Sequence, residues 1–256
     1  MRNKASVFLA AGLFAVLFIL SGITGAQEQK SELFSITEVV VKPAMAARYE
    51  AAVKKEIELG YPYPFMAYSS DDFHYYFLIP IENYAGLDAL NKGEGEWAKK
   101  IGEKYQDLLK SIAGTFEYYR LGVIRLLPDL SYVPKKPRLK PGEEAFLSWG
   151  FAYVEFGKEK EFAEICRQWI ELSKSKATSI GWNMYVVESG AEMPFYFWAE
   201  SGKSAAEYYA EGEKIEKKIG KEKYAELWSK TMALLRKFET KIGRPRPDLS
   251  NVLKTK

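Results

Sequence analysis

The sequence predicts an α+β fold: two tandem repeats of the order βαββαβ, whose antiparallel sheets pack face to face into one pseudo-twofold barrel. Three observations carry this. The residues PDLS at 128–131 return at 247–250, 119 positions on (247 − 128). The blocks before them return in the same order. YEAAVKKEIEL (49–59) reappears as FAEICRQWIEL (162–172), FLIPIE (77–82) as FYFWAE (195–200), and KKIGEKYQDL (99–108) as KKIGKEKYAEL (217–227). Finally, hydrophobic periodicity alternates between that of strands and that of helices at matching places in both copies.

Ahead of the first repeat, Arg2 and Lys4 precede an unbroken apolar and small-residue run from Val7 to Leu20, and Thr24-Gly25-Ala26 closes it with small residues. This layout reads as a cleavable export signal over residues 1–26, with a periplasmic or extracellular destination; an uncleaved anchor is the competing reading. The first repeat, residues 27–134, begins with the strand SITEVVVK. A helix follows with the stripe Tyr49, Ala52, Val53 and Ile57. Two strands then flank the polar turn Ser70-Asp71-Asp72. A helical region has the stripe Trp97, Ile101, Tyr105, Leu108 and Ile112, and a last strand runs into PDLS. Residues 135–145 form a proline- and lysine-rich linker. The second repeat, residues 146–256, opens with LSWGFAYVEF and a helix striped by Phe162, Ile165, Cys166, Trp169 and Ile170. Its strand pair turns at Ser189-Gly190.

Pro128 and Pro247 end the final strand of each repeat, because proline brings no ladder N–H. Asp129 and Asp248 suit the turn that follows. Arg125 and Arg244 stand four residues before these aspartates, so an Arg–Asp contact is expected in each copy.

Composition narrows the function. Removing residues 1–26 leaves 230 residues (256 − 26) and lowers the net charge from +3 to +1, since Arg2 and Lys4 go and no acid does. A nearly neutral chain lacks the basic face that nucleic-acid binding requires. Cys166 is the only cysteine, so no internal disulfide forms and a hydrophobic core holds the fold. Apolar residues make up 47% of the chain, with 17 Tyr, 15 Phe and 6 Trp to fill such a core. The expected partner is a small molecule. Membrane contact is expected only through the signal before cleavage, and homo-oligomer formation through a sheet edge stays open. A single histidine excludes a histidine-cluster metal site, and no glycine-rich phosphate loop stands out, so neither metal nor cofactor is expected.

The βαββαβ order within about 100 residues is the ferredoxin-like, split βαβ pattern. Its sheet carries helices on one face only, and a second sheet must cover the other. On element order and duplication, residues 34–253 resemble the dimeric α/β-barrel superfamily in single-chain form. That group includes antibiotic-biosynthesis-type monooxygenases, stress-responsive barrel proteins, haem-degrading enzymes, muconolactone isomerases and NIPSNAP-like proteins. The resemblance implies a closed barrel with any site between its sheets. Haem enzymes of the group present an axial histidine from a helix, whereas His74 reads as a strand residue, which argues against haem.

Candidate site residues follow from strand alternation over 74–82 and 192–200. One face, Tyr75, Phe77, Ile79 and Ile81 with Met193, Phe195, Phe197 and Ala199, is apolar and suits packing under helices. The other, His74, Tyr76, Leu78, Pro80 and Glu82 with Glu192, Pro194, Tyr196, Trp198 and Glu200, is mixed and is expected to face the space between the sheets. Tyr76, Tyr196, Trp198, Trp182 and Trp149 are therefore candidate ligand-binding residues. Glu82, Glu200 and His74 are candidate acid–base groups, with Tyr196 beside them. Cys166 lies on a core stripe opposite Val53 and reads as a small core hydrophobe. Three functions remain open: a binding protein for a small apolar or aromatic molecule, a cofactor-independent monooxygenase or isomerase, and a structural protein whose barrel is filled by its own side chains.

Overall fold

The computed structural model describes residues 32–252; the export-signal reading of residues 1–26 lies outside them. In the first half, β1 (Leu33–Val41) leads through α1 (Ala46–Glu58) to the hairpin of β2 (Met66–Ser70) and β3 (His74–Ile81). Then come α2 (Ala85–Ile101), α3 (Glu103–Ile112) and β4 (Phe116–Leu126). The second half runs β5 (Phe146–Val154), α4 (Glu159–Ser175), β6 (Trp182–Ser189), β7 (Phe195–Gly202), α5 (Ala205–Ile219), α6 (Lys221–Met232) and β8 (Leu235–Pro245). Among the described residues, no helix is long and apolar enough to cross a membrane.

The eight strands close into one antiparallel barrel in the order β1-β3-β2-β8-β5-β7-β6-β4, with β4 returning to β1. Strand alternation divides the apolar residues into an inner and two outer cores. From β1, Phe34 and Ile36 point inward, while Val39 and Val41 point out beneath the helices of the first half. A matching outer core beneath α4 gathers Ala152, Val154, Phe162 and Cys166. Burial there pushes the Cys166 thiol up to about 12, in keeping with a core residue rather than a nucleophile.

Where one helical region was expected in each half, the structure has two helices. The chain breaks at Gly102 (φ 59) and Gly220 (φ 97), left-handed positions that glycine adopts without a Cβ penalty. The stripe Trp97, Ile101, Tyr105, Leu108 and Ile112 survives the break and packs into one outer core.

The repeated PDLS segments explain how the barrel closes. Each forms a short 3₁₀ turn, Pro128–Leu130 and Pro247–Leu249, and each docks on the opposite half. The Met184 amide of β6 donates to Ser131 Oγ and the Ala67 amide of β2 donates to Ser250 Oγ, both at 2.9 Å. Leu127 N–H reaches the Met184 carbonyl and Arg246 N–H the Ala67 carbonyl, both at 2.8 Å. Leu130 enters the outer core of Phe162 and Met184, and the fully buried Leu249 enters that of Tyr49, Val53 and Phe65. These contacts extend two short ladders, β4 with β6 and β2 with β8, which are the only strand pairings between the halves among the described residues.

The expected Arg–Asp pairs form differently. Arg246, not Arg244, holds Asp248 through Nε and Nη2 at 2.9 Å each, because the residue two before the aspartate lies at the turn itself. The buried Arg246 also bonds Glu50 of α1, and its guanidinium keeps the Asp248 carboxyl well below the usual carboxylate range. Arg125 instead forms a two-toothed pair with Glu188 of β6, another tie across the closure. The linker is likewise anchored: Leu139 is buried, and Arg138 bonds the Glu207 side chain and the Ser201 carbonyl.

Two predictions follow from this packing. Leu249→Ala, leaving a cavity in the first half's core, should cost about 2–5 kcal/mol in urea unfolding, whereas Ser250→Ala should cost about 1 kcal/mol. Separately, burial and then the neighbouring Glu94 raise the Glu56 carboxyl to about 7. A carboxyl raised on folding contributes stability that is complete below its unfolded value and lost as pH rises through the folded one. Glu56→Gln should therefore leave the melting temperature nearly unchanged at pH 4.5 and raise it at pH 8.

Candidate functional site

The barrel interior is not filled. It holds a cavity of about 800 Å³ between the two sheets, within the usual range for small-molecule sites. Eight aromatic rings line it among aliphatic and polar residues, and the second half supplies six of them. Trp149, Phe151 and Tyr153 come from β5, Tyr185 from β6, and Phe195 and Phe197 from β7. The rings lock one another: Tyr153 stacks on Phe195 with centroids 4.4 Å apart, and Tyr185 on Phe197 at 4.8 Å. From the first half come Ile36, Tyr68, Tyr76 and Leu78. Tyr76 lies against Trp149 at 5.9 Å, bridging the halves inside the barrel.

Charged groups gather at one end, where β1 and β5 finish. Glu38 of β1 sits between His74 Nδ1 at 2.8 Å and Arg120 Nη1 of β4 at 3.0 Å. The pairing of β1 with β3 and β4 sets this, since Glu38 stands opposite Tyr76 on one side and Arg120 on the other. Burial alone would raise the Glu38 carboxyl; the bonds from His74 and Arg120 outweigh it and hold it below the ordinary range. The His74 ring stacks on Tyr76, and its Nε2 faces Asp72 Oδ2 at 3.5 Å. Asp72 also accepts from Lys241 Nζ of β8 at 2.6 Å, so the charged rim crosses the seam. Lys237 and Glu239 continue the rim, with Lys237 Nζ 4.7 Å from the Tyr153 ring centre.

Of the residues singled out from sequence, His74, Tyr76 and Trp149 line this cavity. Tyr196, Trp198, Trp182, Glu200 and Glu82 do not; for the three on β7 the reason is register. Pairing with β1 and β5 makes Tyr196 the counterpart of Tyr75, an offset of 121 (196 − 75), because both stand opposite the outward residues Val39 and Ala152. The FLIPIE–FYFWAE match implies 118. The difference of three is odd, and an odd slip exchanges the two faces of a strand. Phe195, Phe197 and Ala199 therefore point inward, while Tyr196 and Trp198 pack outward beneath α4 beside Phe162. Trp182 is outward too, its indole N–H donating to the Leu130 carbonyl at 2.9 Å. Glu200 accepts from the Tyr208 hydroxyl of α5, and burial raises its carboxyl. Glu82 lies exposed just past the end of β3. The two glutamates are thus not partners in one site.

Sequence reasoning passed over Glu38, Arg120, Tyr68 and Tyr185. Glu38 did leave a signal, since it shares the alternation of Phe34 and Ile36, an acid on an otherwise apolar strand face. Arg120 left none, because β4 reads as exposed and charged along much of its length.

Fold and cavity together define an α+β barrel protein with an internal space of ligand size. No protein-family model matches the chain, and no curated protein sequence does. Solved structures share the fold. An anthrone oxidase-like protein superposes with a TM-score of 0.60 at 11% identity, covering 89% of this chain and 97% of its own. Two proteins assigned as monooxygenases, from Lactobacillus acidophilus and Fusobacterium nucleatum, each give a TM-score of 0.50. Their identities are 9% and 13%; each covers 84% of this chain, and 94% and 92% of their own. At such identities the likeness establishes the architecture: a ferredoxin-like, dimeric-α/β-barrel type of fold.

Glu38→Gln tests the rim. A carboxyl lowered on folding contributes stability above its unfolded range and loses it as pH falls through the folded value. The variant should be less stable than the parent by about 1–3 kcal/mol at pH 7, and the gap in urea midpoint should narrow steadily towards pH 3.

Proposed function

We propose that this is an exported binding protein for a small apolar or aromatic molecule, held in the barrel of a tandemly duplicated chain. The observation that carries this is the aromatic cavity of about 800 Å³. A barrel serving only as scaffold would gain from filling that space with its own side chains, because unfilled apolar volume costs stability. A ligand losing ~200 Å² of apolar surface gains ~5 kcal/mol before association costs. The rim charges pair mainly with one another, so the ligand is not required to bring a charge. Export rests on the composition of residues 1–26.

The contact of His74 with Glu38 beside the cavity supports a second reading, a cofactor-independent oxygenase or isomerase. The names of the fold neighbours are compatible with it. Against it, both ring nitrogens of His74 face carboxylates, Glu38 and Asp72. Replacing His74 with Ala separates the two: binding without chemistry survives the change, whereas acid–base turnover does not.

Native mass spectrometry of residues 27–256 purified from an export-competent host, run beside a denatured aliquot, tests the binding reading. Added mass that disappears on denaturation is expected. Ala199→Trp, which builds an indole into the cavity, should abolish the added mass while leaving the chain folded. An adduct unchanged in that variant places the ligand elsewhere, and a parent chain with no adduct counts against tight binding.

A further inference from the structure

The cavity has a second polar end, far from the charged rim. Tyr68 on β2 and Tyr185 on β6 hold corresponding positions, 117 apart (185 − 68), the same offset that relates the seam residues Ala67 and Met184 (184 − 67). Both line the cavity. The Tyr68 hydroxyl turns to Met66 at the start of β2 and the Tyr185 ring lies against Phe34 near the start of β1, the end away from Glu38 and His74. Burial and then Glu144 raise Tyr68 to about 12, while burial, then Tyr68 and Glu32, raise Tyr185. Glu32 and Glu144 precede β1 and β5, at the opposite barrel end from Glu38 and Tyr153. Both side chains therefore reach towards the floor.

The hydrogen-bonding state of this floor is incomplete. The Tyr68 hydroxyl reaches the Met66 sulfur at 3.6 Å, and a thioether is a weak acceptor. Asn183, two residues before Tyr185 on the same strand face, also lines the cavity and adds an amide to this end. Behind Tyr68, the buried Oε1 of Glu144 has no hydrogen-bond partner. The basic residues lining the cavity, Arg120, Lys237 and Lys241, are all at the rim. With Glu32 and Glu144 close by, the floor suits a neutral oxygen and disfavours an anion.

We infer that the ligand carries a neutral hydrogen-bond-accepting oxygen, such as a ketone carbonyl, at the end of an apolar ring system that enters the barrel first, and that Tyr68 and Tyr185 receive it. This rests on the cavity being the ligand site. The geometry makes the two tyrosines specificity-determining residues: the aromatic walls accept the ring system, and the paired hydroxyls set which end goes in.

A pair of probes of nearly equal shape, 2-acetylnaphthalene and 2-ethylnaphthalene, tests this by titration with the ligand-free chain. The ketone should bind about five- to tenfold more tightly than the hydrocarbon, the ratio that one good hydrogen bond gives. Tyr68→Phe and Tyr185→Phe should each shrink the ratio, and the double variant should bring it near one with the affinity for 2-ethylnaphthalene retained. Equal binding of both probes by the parent chain, or a preference that survives in the double variant, overturns this inference and leaves the cavity reading standing. Failure of both probes to bind overturns the cavity reading for aromatic ligands, and this inference with it.

Discussion

Pairing of the open edges of two four-stranded sheets is the constraint on which the rest of this structure depends. An unpaired strand edge exposes backbone donors and acceptors. Here each half solves the problem for the other: β4 runs along β6, and β8 along β2. Both ladders are short, so the 3₁₀ turns after β4 and β8 extend them, each placing a leucine in the other half's core and a serine hydroxyl on its strand. The repeated PDLS is the sequence of that clasp. Closure joins the two sheets into one barrel, and the space they enclose becomes the cavity.

The halves share a backbone plan yet line the cavity differently. Glu38 corresponds to Phe151 through Val41 and Val154, the bulged ends of β1 and β5 (154 − 41 = 113 and 151 − 38 = 113). One half thus places a carboxylate where the other places a ring, and His74 likewise stands where the second half has Phe195 (195 − 74 = 121). The barrel so acquires a directional interior, with one polar wall, one aromatic wall, a charged rim and a tyrosine floor. Rigidity follows from the same arrangement, because the stacked rings of β5, β6 and β7 are pinned by their neighbours rather than free to collapse inward.

Much of the fold was legible in the sequence because it rests on local signals: stripes on helices, alternation in strands, and prolines ending β4 and β8. His74, Tyr76 and Trp149 were legible as cavity residues for the same reason. The face of β7 was not. Its hairpin with β6 carries four more residues than the hairpin of β2 and β3 (121 − 117), and sequence matching absorbed only part of that length. One odd error was enough to turn Tyr196, Trp198 and Glu200 inward on paper and outward in the molecule. Glu38 and Arg120 meet through strand pairing across 82 positions, which no local pattern encodes. The breaks at Gly102 and Gly220 were visible as glycines, but the uninterrupted apolar stripe around Gly102 masked the change of direction.

The central claim is that neither half is complete without the other's clasp. Native-state hydrogen exchange on the whole chain tests it most directly. If the claim holds, the seam amides of Ala67, Leu127, Met184 and Arg246 exchange only through global unfolding, with the same free energy as amides in the middle of β1 and β5. Seam amides that open at markedly lower free energy, while β1 and β5 stay protected, would show two independently folded sheets merely resting against each other and would contradict the account.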